Sequence, residues 1–212
     1  MKNLALSFLF LFFFFNSNAQ FGKKTYEAPN LNEIIKTHKN IALLPVNVSQ
    51  NYKRTPKGMT AEDIHAEELS KSFEYQSGMF SFLISNADKY IVEFQDPART
   101  NALLKKSKIM DSLEVKLPDE ICKILNVDAI ILTEFVSEKS GSAGTDIAKT
   151  LVMGSFARTG SSSITISIYD GKDGKLIYRM FKEMSESLTS SGAEIMKRMM
   201  AKVGRNFPYE KK

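Results

Sequence analysis

The chain has 212 residues, a formal net charge of +5, one cysteine, two histidines and no tryptophan. One cysteine excludes an internal disulfide framework, and one cysteine with two separated histidines disfavours a metal site, because clustered ligands of the right type are absent. Acidic and basic residues are interspersed, so the mild positive excess reads as solvated surface and not as a nucleic-acid footprint.

The amino terminus predicts export. Lys2 precedes an apolar run from Leu4 to Phe15, and Ser17-Asn18-Ala19 supplies a small-x-small ending. That is the pattern of a signal peptide over 1–19, cleaved after Ala19. The run is shorter than the roughly 20 apolar residues that span a bilayer. No cysteine stands at the cleavage point, so a periplasmic or secreted protein is expected, not a lipoprotein and without a stable membrane anchor. What remains is one domain on the usual length prior.

Residues 20–39 read as an extended lead-in with a short helical turn at Leu31–Thr37. Asn40–Val48, NIALLPVNV, is the first strand, with Pro45 marking a bulge, a strand end or an edge because it has no N–H for the ladder. Thr60 with Asp63 forms a capping-box pattern that opens a long helix, with Leu69, Phe73, Gln76, Phe80 and Leu83 as its stripe. Lys89–Phe94 is the second strand. Asp96-Pro97 caps a helix reaching about Ile109, with Ala98, Ala102, Leu103 and Met110 on its apolar side. Pro118–Leu125 is a shorter helix that leads into Asn126–Val136, NVDAIILTEFV. This strand is nearly continuous in apolar residues and is therefore read as central.

After Val136 the composition changes to a Gly/Ser-rich insertion, 137–163. Ser163–Tyr169 then alternates, with Ile164, Ile166 and Ile168 on one face. A turn at Asp170–Gly174 and a return over Lys175–Lys182 complete a hairpin. A last helix, about Ser191–Asn206, carries Met196, Met199, Met200, Val203 and Phe207. The predicted fold is α/β with an α+β tendency. It is a single domain over 40–207, a mixed sheet of about five strands with helices packed on it, in the order β-α-β-α-α-β-β-β-α, followed by a tail at 208–212.

No catalytic, cofactor-binding or metal-ligating residue is expected. His65 reads as solvated helix surface, and Cys122, beside Ile121 and Leu125, as a small buried hydrophobe. Gly141, Gly144 and Gly154 do not fit a phosphate loop, and no Gly-x-Ser-x-Gly occurs. Asp170 and Asp173 suit a hairpin turn better than a calcium loop, which is longer and closes on a Glu. The Met stripe reads as core or, less simply, as an adaptable binding face. In the insertion, Ile147, Leu151, Val152 and Phe156 would be apolar on one side and are the interaction candidates, docking either on their own domain or on a partner.

Asn40–Val46 (NIALLPV), DPARTNALL at Asp96–Leu104, LNVDAIIL at Leu125–Leu132 and ITISIYDGKDGKLIY together resemble the periplasmic α/β domain shared by CsgG, LpoB and the amino-terminal domain of TolB, over roughly Asn40–Phe207. The resemblance implies a non-enzymatic module that binds another envelope protein in assembly or maintenance of the cell envelope. The alternative is an oligomeric, membrane-associated secretion component of CsgG type, and homo-oligomerisation is left open. A third class is an exported hydrolase built on a spatial Ser/His/Asp group. The chain departs from the family in lacking a lipid-bearing cysteine and a second amphipathic hairpin. The partner's identity and the pathway are not written in the sequence.

Overall fold

Ala129-Ile130-Ile131-Leu132 needs cover on both faces, and the fold is arranged to give it. The computed structural model describes residues 23–53, 55, 57–139, 158–187, 196, 198, 200–201 and 207–211. Among them the strands are β1 Lys23–Glu27, β2 Asn40–Leu43, β3 Asn47–Tyr52, β4 Glu93–Gln95, β5 Ala129–Lys139, β6 Arg158–Asp170 and β7 Leu176–Ser187. The helices are α1 Leu31–Ile35, α2 Ala61–Ile84, α3 Pro97–Lys106 and α4 Pro118–Leu125, with 3-10 turns at Ala87–Lys89 and Met110–Val115.

The result is a mixed α/β single domain around one sheet in the order β1-β7-β6-β5-β2-β4, with β3 also on β5. β2, β3 and β5 run parallel and β4 joins β2 in the same sense, whereas β6, β7 and β1 form an antiparallel half. The sheet has seven strands where the sequence suggests about five. One addition is β1, formed from the lead-in, and the other arises because the first predicted strand is two. Leu43 faces Ile131 and Asn47 faces Glu134, so four steps on one side meet three on the other. Pro45 sits in that bulge. Leu43 O lies on the β4 side, where pairing stops at Ala42 and Gln95, and Gln76 Nε2 donates to it at 2.8 Å.

Two cores lie on opposite faces. On one, Ile41, Leu43, Ile131, Phe135, Ile164, Ile166 and Ile168 meet Tyr75, Met79 and Leu83 of α2 together with Met196 and Met200. On the other, Ala42, Leu44 and Ile130 meet Leu104 of α3 and Ile121, Cys122 and Leu125 of α4. β5 is thus central and covered on both sides at its start, as its sequence predicts. Met196 and Met200 are core. Met199 and Val203 lie outside the described residues.

Side-chain oxygens cap the helices where the sequence places them. Thr60 Oγ1 accepts from Asp63 N–H while Asp63 Oδ2 accepts from Thr60 N–H, a complete capping box. Asp96 Oδ1 accepts from Ala98 N–H at 2.7 Å. The buried faces, however, are partly rotated from the predicted ones. In α2 the buried line runs through Ser72, Tyr75, Gln76, Met79 and Leu83, so of the predicted stripe Gln76 and Leu83 are buried, Phe73 and Phe80 half-buried and Leu69 49% exposed. In α3 it is Thr100 and Leu104, with Ala98 and Ala102 outside. Gln76, which the spacing places in the stripe, pairs with Leu43 O and Asn101, and in α3 Thr100 Oγ1 donates to Gln95 Oε1, so a polar group there holds a buried position that hydropathy assigns to apolar ones.

Both α3 and α4 end in Schellman turns with a left-handed residue other than glycine, Lys108 (φ 55°) and Asn126 (φ 54°). The paired bonds run from Lys108 N–H to Lys105 O with Ile109 N–H to Leu104 O, and from Asn126 N–H to Lys123 O with Val127 N–H to Cys122 O. The second predicted strand shrinks to β4, because Ala87–Lys89 forms a 3-10 turn. β5 and β6 run on into the predicted insertion, so Ser137–Lys139 and Arg158–Ser163 are strand.

Candidate functional site

The most concentrated chemistry among the described residues lies at the end of the sheet where β2 and β5 begin and β6 stops. Three chain segments meet there. His38 follows α1 and directly precedes β2, with its N–H donating to Ile35 O. Asp170 closes β6 and is fixed by an Asx turn in which its Oδ1 accepts from Lys172 N–H at 3.0 Å. Tyr209 comes from the carboxyl-terminal end, which is tied down by main-chain bonds from Ile91 N–H to Tyr209 O and from Lys211 N–H to Lys89 O.

His38 Nδ1 lies 2.7 Å from Tyr209 Oη, and Nε2 lies 3.4 Å from Asp170 Oδ1. Burial, with the charges of Asp170 and Asp128, pushes the ionisation of Tyr209 far above its ordinary range, so it keeps its proton. An ionised Asp170 can only accept. The consistent assignment therefore has Nε2–H donating to Asp170 and Nδ1 accepting from Tyr209 O–H. Asp128 sits alongside, its Oδ2 accepting from Lys39 N–H and Asn40 N–H at 2.7 and 2.9 Å. It fixes the entry to β2 from the entry to β5.

Chemically this cluster is closed. His38 is 5% exposed, Tyr209 0% and Asp170 9%, and both imidazole nitrogens are engaged. A general base has to reach the proton that it takes. Among the described residues no serine, threonine or cysteine hydroxyl or thiol is bonded to the ring, so the histidine–carboxylate pair does not continue into a nucleophile there. Cys122 is buried, and desolvation, with smaller contributions from Asp170, Asp119 and Asp128, raises its thiol to about 12. It is a core side chain, as its sequence context predicts, and not a ready thiolate. Beside it, a cleft of about 220 Å³ is lined by Cys122, Lys123, Asn126, Val127, Asp128 and Gly171. This is below the usual size of a small-molecule site.

Sequence reasoning misses this meeting of segments. His38 has no patterned neighbour, Asp170 is accounted for by its turn, and Tyr209 falls in a segment that reads as a tail. The available signal is Phe207-Pro208-Tyr209, an aromatic cluster in an otherwise polar terminus. Phe207 and Tyr209 are buried; the Phe207 ring meets Tyr90 edge-on and Phe94 at a tilt, and Tyr209 packs against Phe207. His65 is exposed, 4.0 Å from Glu68, as expected. Among the described residues no group of three or more His, Cys, Asp or Glu side chains could hold a metal ion. None of their helices is long and apolar enough to cross a membrane. The interaction candidates Ile147, Leu151, Val152 and Phe156 lie outside the described residues, as does the segment 1–19.

At the opposite end of the sheet, β3, β5, β6 and β7 continue together. α3 and α4 lie over β2, the start of β5 and the end of β6. Beyond them the face carrying Glu134, Val136, Glu138, Ser161 and Ser163 is half-buried or exposed.

No family model matches the chain, and no curated protein matches it. Solved structures overlap it weakly. Lipoprotein GNA1162 from Neisseria meningitidis aligns with a TM-score of 0.42 at 10% identity, covering 79% of this chain and 96% of its own. The PelC dodecamer from Paraburkholderia phytofirmans gives 0.43 at 10% identity, with 90% and 98% covered. The LpoB C-terminal domain from Salmonella enterica gives 0.36 at 8% identity, with 74% and 94% covered. Similarity at this level leaves the function to be argued from the chain's own residues.

Proposed function

We propose that this protein is a non-catalytic interaction module of the cell envelope, exported through residues 1–19 and acting by binding another envelope protein. The observation that carries the reading is the closed cluster. The one histidine–carboxylate–tyrosine arrangement among the described residues is sealed from solvent and joins the start of β2, the end of β6 and the chain's carboxyl end. Its chemistry is spent on holding the fold. That leaves surface, not a reaction centre, as the means of function, and the resemblance of the strand motifs to envelope domains supplies the setting.

The proposed contact end is where β5 and β6 run beyond the helices towards residues 140–157. A photo-crosslinking residue at Glu138, which is exposed there, tests it in the intact envelope. The expected result is one discrete adduct with a single envelope protein, lost when the crosslinker is moved to exposed Lys172 at the other end of the sheet. Equal, diffuse labelling from both positions, or a hydrolytic activity that depends on His38, would overturn the proposal.

A further inference from the structure

We infer that the connection between α3 and α4 docks on an anionic lipid surface. The proposal is independent of the protein-binding end described above. It rests on two exposed apolar side chains and on lysines that no buried partner consumes.

Ile109 is buried against Leu104 in the α3–α4 core, and Met110 and Leu113 pack partly on the same cluster. The Schellman bonds at Lys108 and Ile109, together with Ser112 N–H to Ile109 O and Lys116 N–H to Leu113 O, fix the backbone between them. This well-anchored stretch nevertheless turns two hydrophobic side chains outward. Val115 is 81% exposed and Leu117 60%, the largest values among the exposed large hydrophobics. Stray exposed hydrophobics are ordinary, but two of them on one hydrogen-bonded connection that also carries exposed lysines are not explained by packing.

Lys105, Lys106 and Lys108 are exposed, and among the described residues none has a carboxylate within ion-pair distance. Lys116 lies between the two apolar residues, 3.9 Å from Glu120. Of the nearby carboxylates, Glu114 is turned towards β3, accepting from Asn47 Nδ2, Glu120 faces Lys116 and Asp119 is paired with Lys123, which leaves Asp111 to oppose Lys105, Lys106 and Lys108. Exposed apolar side chains on a connection that also carries exposed lysines suit insertion just below the phosphate level, with lysine stems along the interface and ammonium groups at headgroup phosphates. A protein-binding core would instead favour a broader patch with aromatic and arginine anchors.

The chain starting at Gln20 contains every described element and lacks the apolar leader, so it is the form to test. Flotation with phosphatidylcholine vesicles containing phosphatidylglycerol should recover it, and added salt should release it, whereas phosphatidylcholine alone should not bind it. Val115→Ser with Leu117→Ser should weaken binding about tenfold or more. Replacing Lys105, Lys106 and Lys108 by Gln should weaken it by about five-fold per lysine. The chain has no tryptophan, so Leu117→Trp gives a single fluorescent reporter whose emission should move to the blue only with the anionic vesicles. No flotation of the unaltered protein, equal binding to both vesicle types, binding indifferent to both sets of changes, or an unshifted emission from the Leu117→Trp variant would each overturn the proposal.

Discussion

Replacing Tyr209 by Phe removes one oxygen atom and leaves the ring in place, so it isolates the bond that joins the carboxyl end to His38. Tyr209 Oη is 2.7 Å from Nδ1 and both groups are buried. In the variant the ring nitrogen becomes a buried acceptor without a donor, and a group orphaned in this way costs about 1–3 kcal/mol. We take about 2 kcal/mol, which lowers the melting temperature by roughly 4–8 °C for a chain of this size. Urea unfolding at constant m-value is the assay. A double-mutant cycle gives the sharper reading. With His38→Leu in the background no nitrogen is left to orphan, so Tyr209→Phe should become nearly neutral, giving a coupling of about 1–2 kcal/mol. If Tyr209→Phe alone lies within about 0.3 kcal/mol of the parent and the two changes add, the buried bond contributes nothing and the clasp is wrongly described.

Three other outcomes follow from local geometry. A Cβ on Gly171 would stand 2.7 Å from Asp128 O and 2.9 Å from Cys122 Cβ, so Gly171→Ala should destabilise by about 1–3 kcal/mol, read by thermal unfolding. Lys108 holds a left-handed conformation costing about 1–2 kcal/mol, partly offset in glycine by its extra chain entropy, so Lys108→Gly should stabilise by about 0.5–1 kcal/mol. Burial raises Cys122 from 9.0 and Tyr178 from 10.0, each to about 12. Folding thus favours their protonated forms, so that stability is fully present below about pH 9 and is lost as pH rises towards 12. Equilibrium unfolding across that range should show the fall, Cys122→Ala should reduce it, and a thiol reagent at neutral pH should label Cys122 at the rate of unfolding.

Much of the fold is legible in the sequence because its signals are local. The Thr60–Asp63 box, the Asp96-Pro97 start, the apolar run of β5 and the alternation of β6 each depend on a few neighbouring residues, and the structure agrees with them. The face of α2 is legible in part, since Gln76 and Leu83 are buried as their spacing predicts and Leu69 is exposed, whereas the buried face of α3 is not legible, because Thr100 is buried by a partner outside its own helix, Gln95. β1 escapes for a similar reason. Lys23–Glu27 carries no apolar alternation and is a strand because β7 offers it an edge. The cluster at His38 is least legible of all, since its other members lie 132 and 171 residues from the histidine. Residue types alone permit a histidine–carboxylate pair. Only burial and the occupied second nitrogen distinguish a clasp from a catalytic base.

On the proposed function His38 serves structure and not chemistry, and His38→Asn separates the two roles. Asparagine can place its Oδ1 near the position of Nδ1 and accept from Tyr209 O–H, but it cannot act as a base near neutral pH. With a photo-crosslinker at Glu138 in the intact envelope, the folded variant should form the same adduct in the same yield as the parent, even though its unfolding midpoint is lower. Loss of the protein's cellular role in a variant that is fully folded and still forms the adduct would contradict the structural role, and would place a reaction at His38.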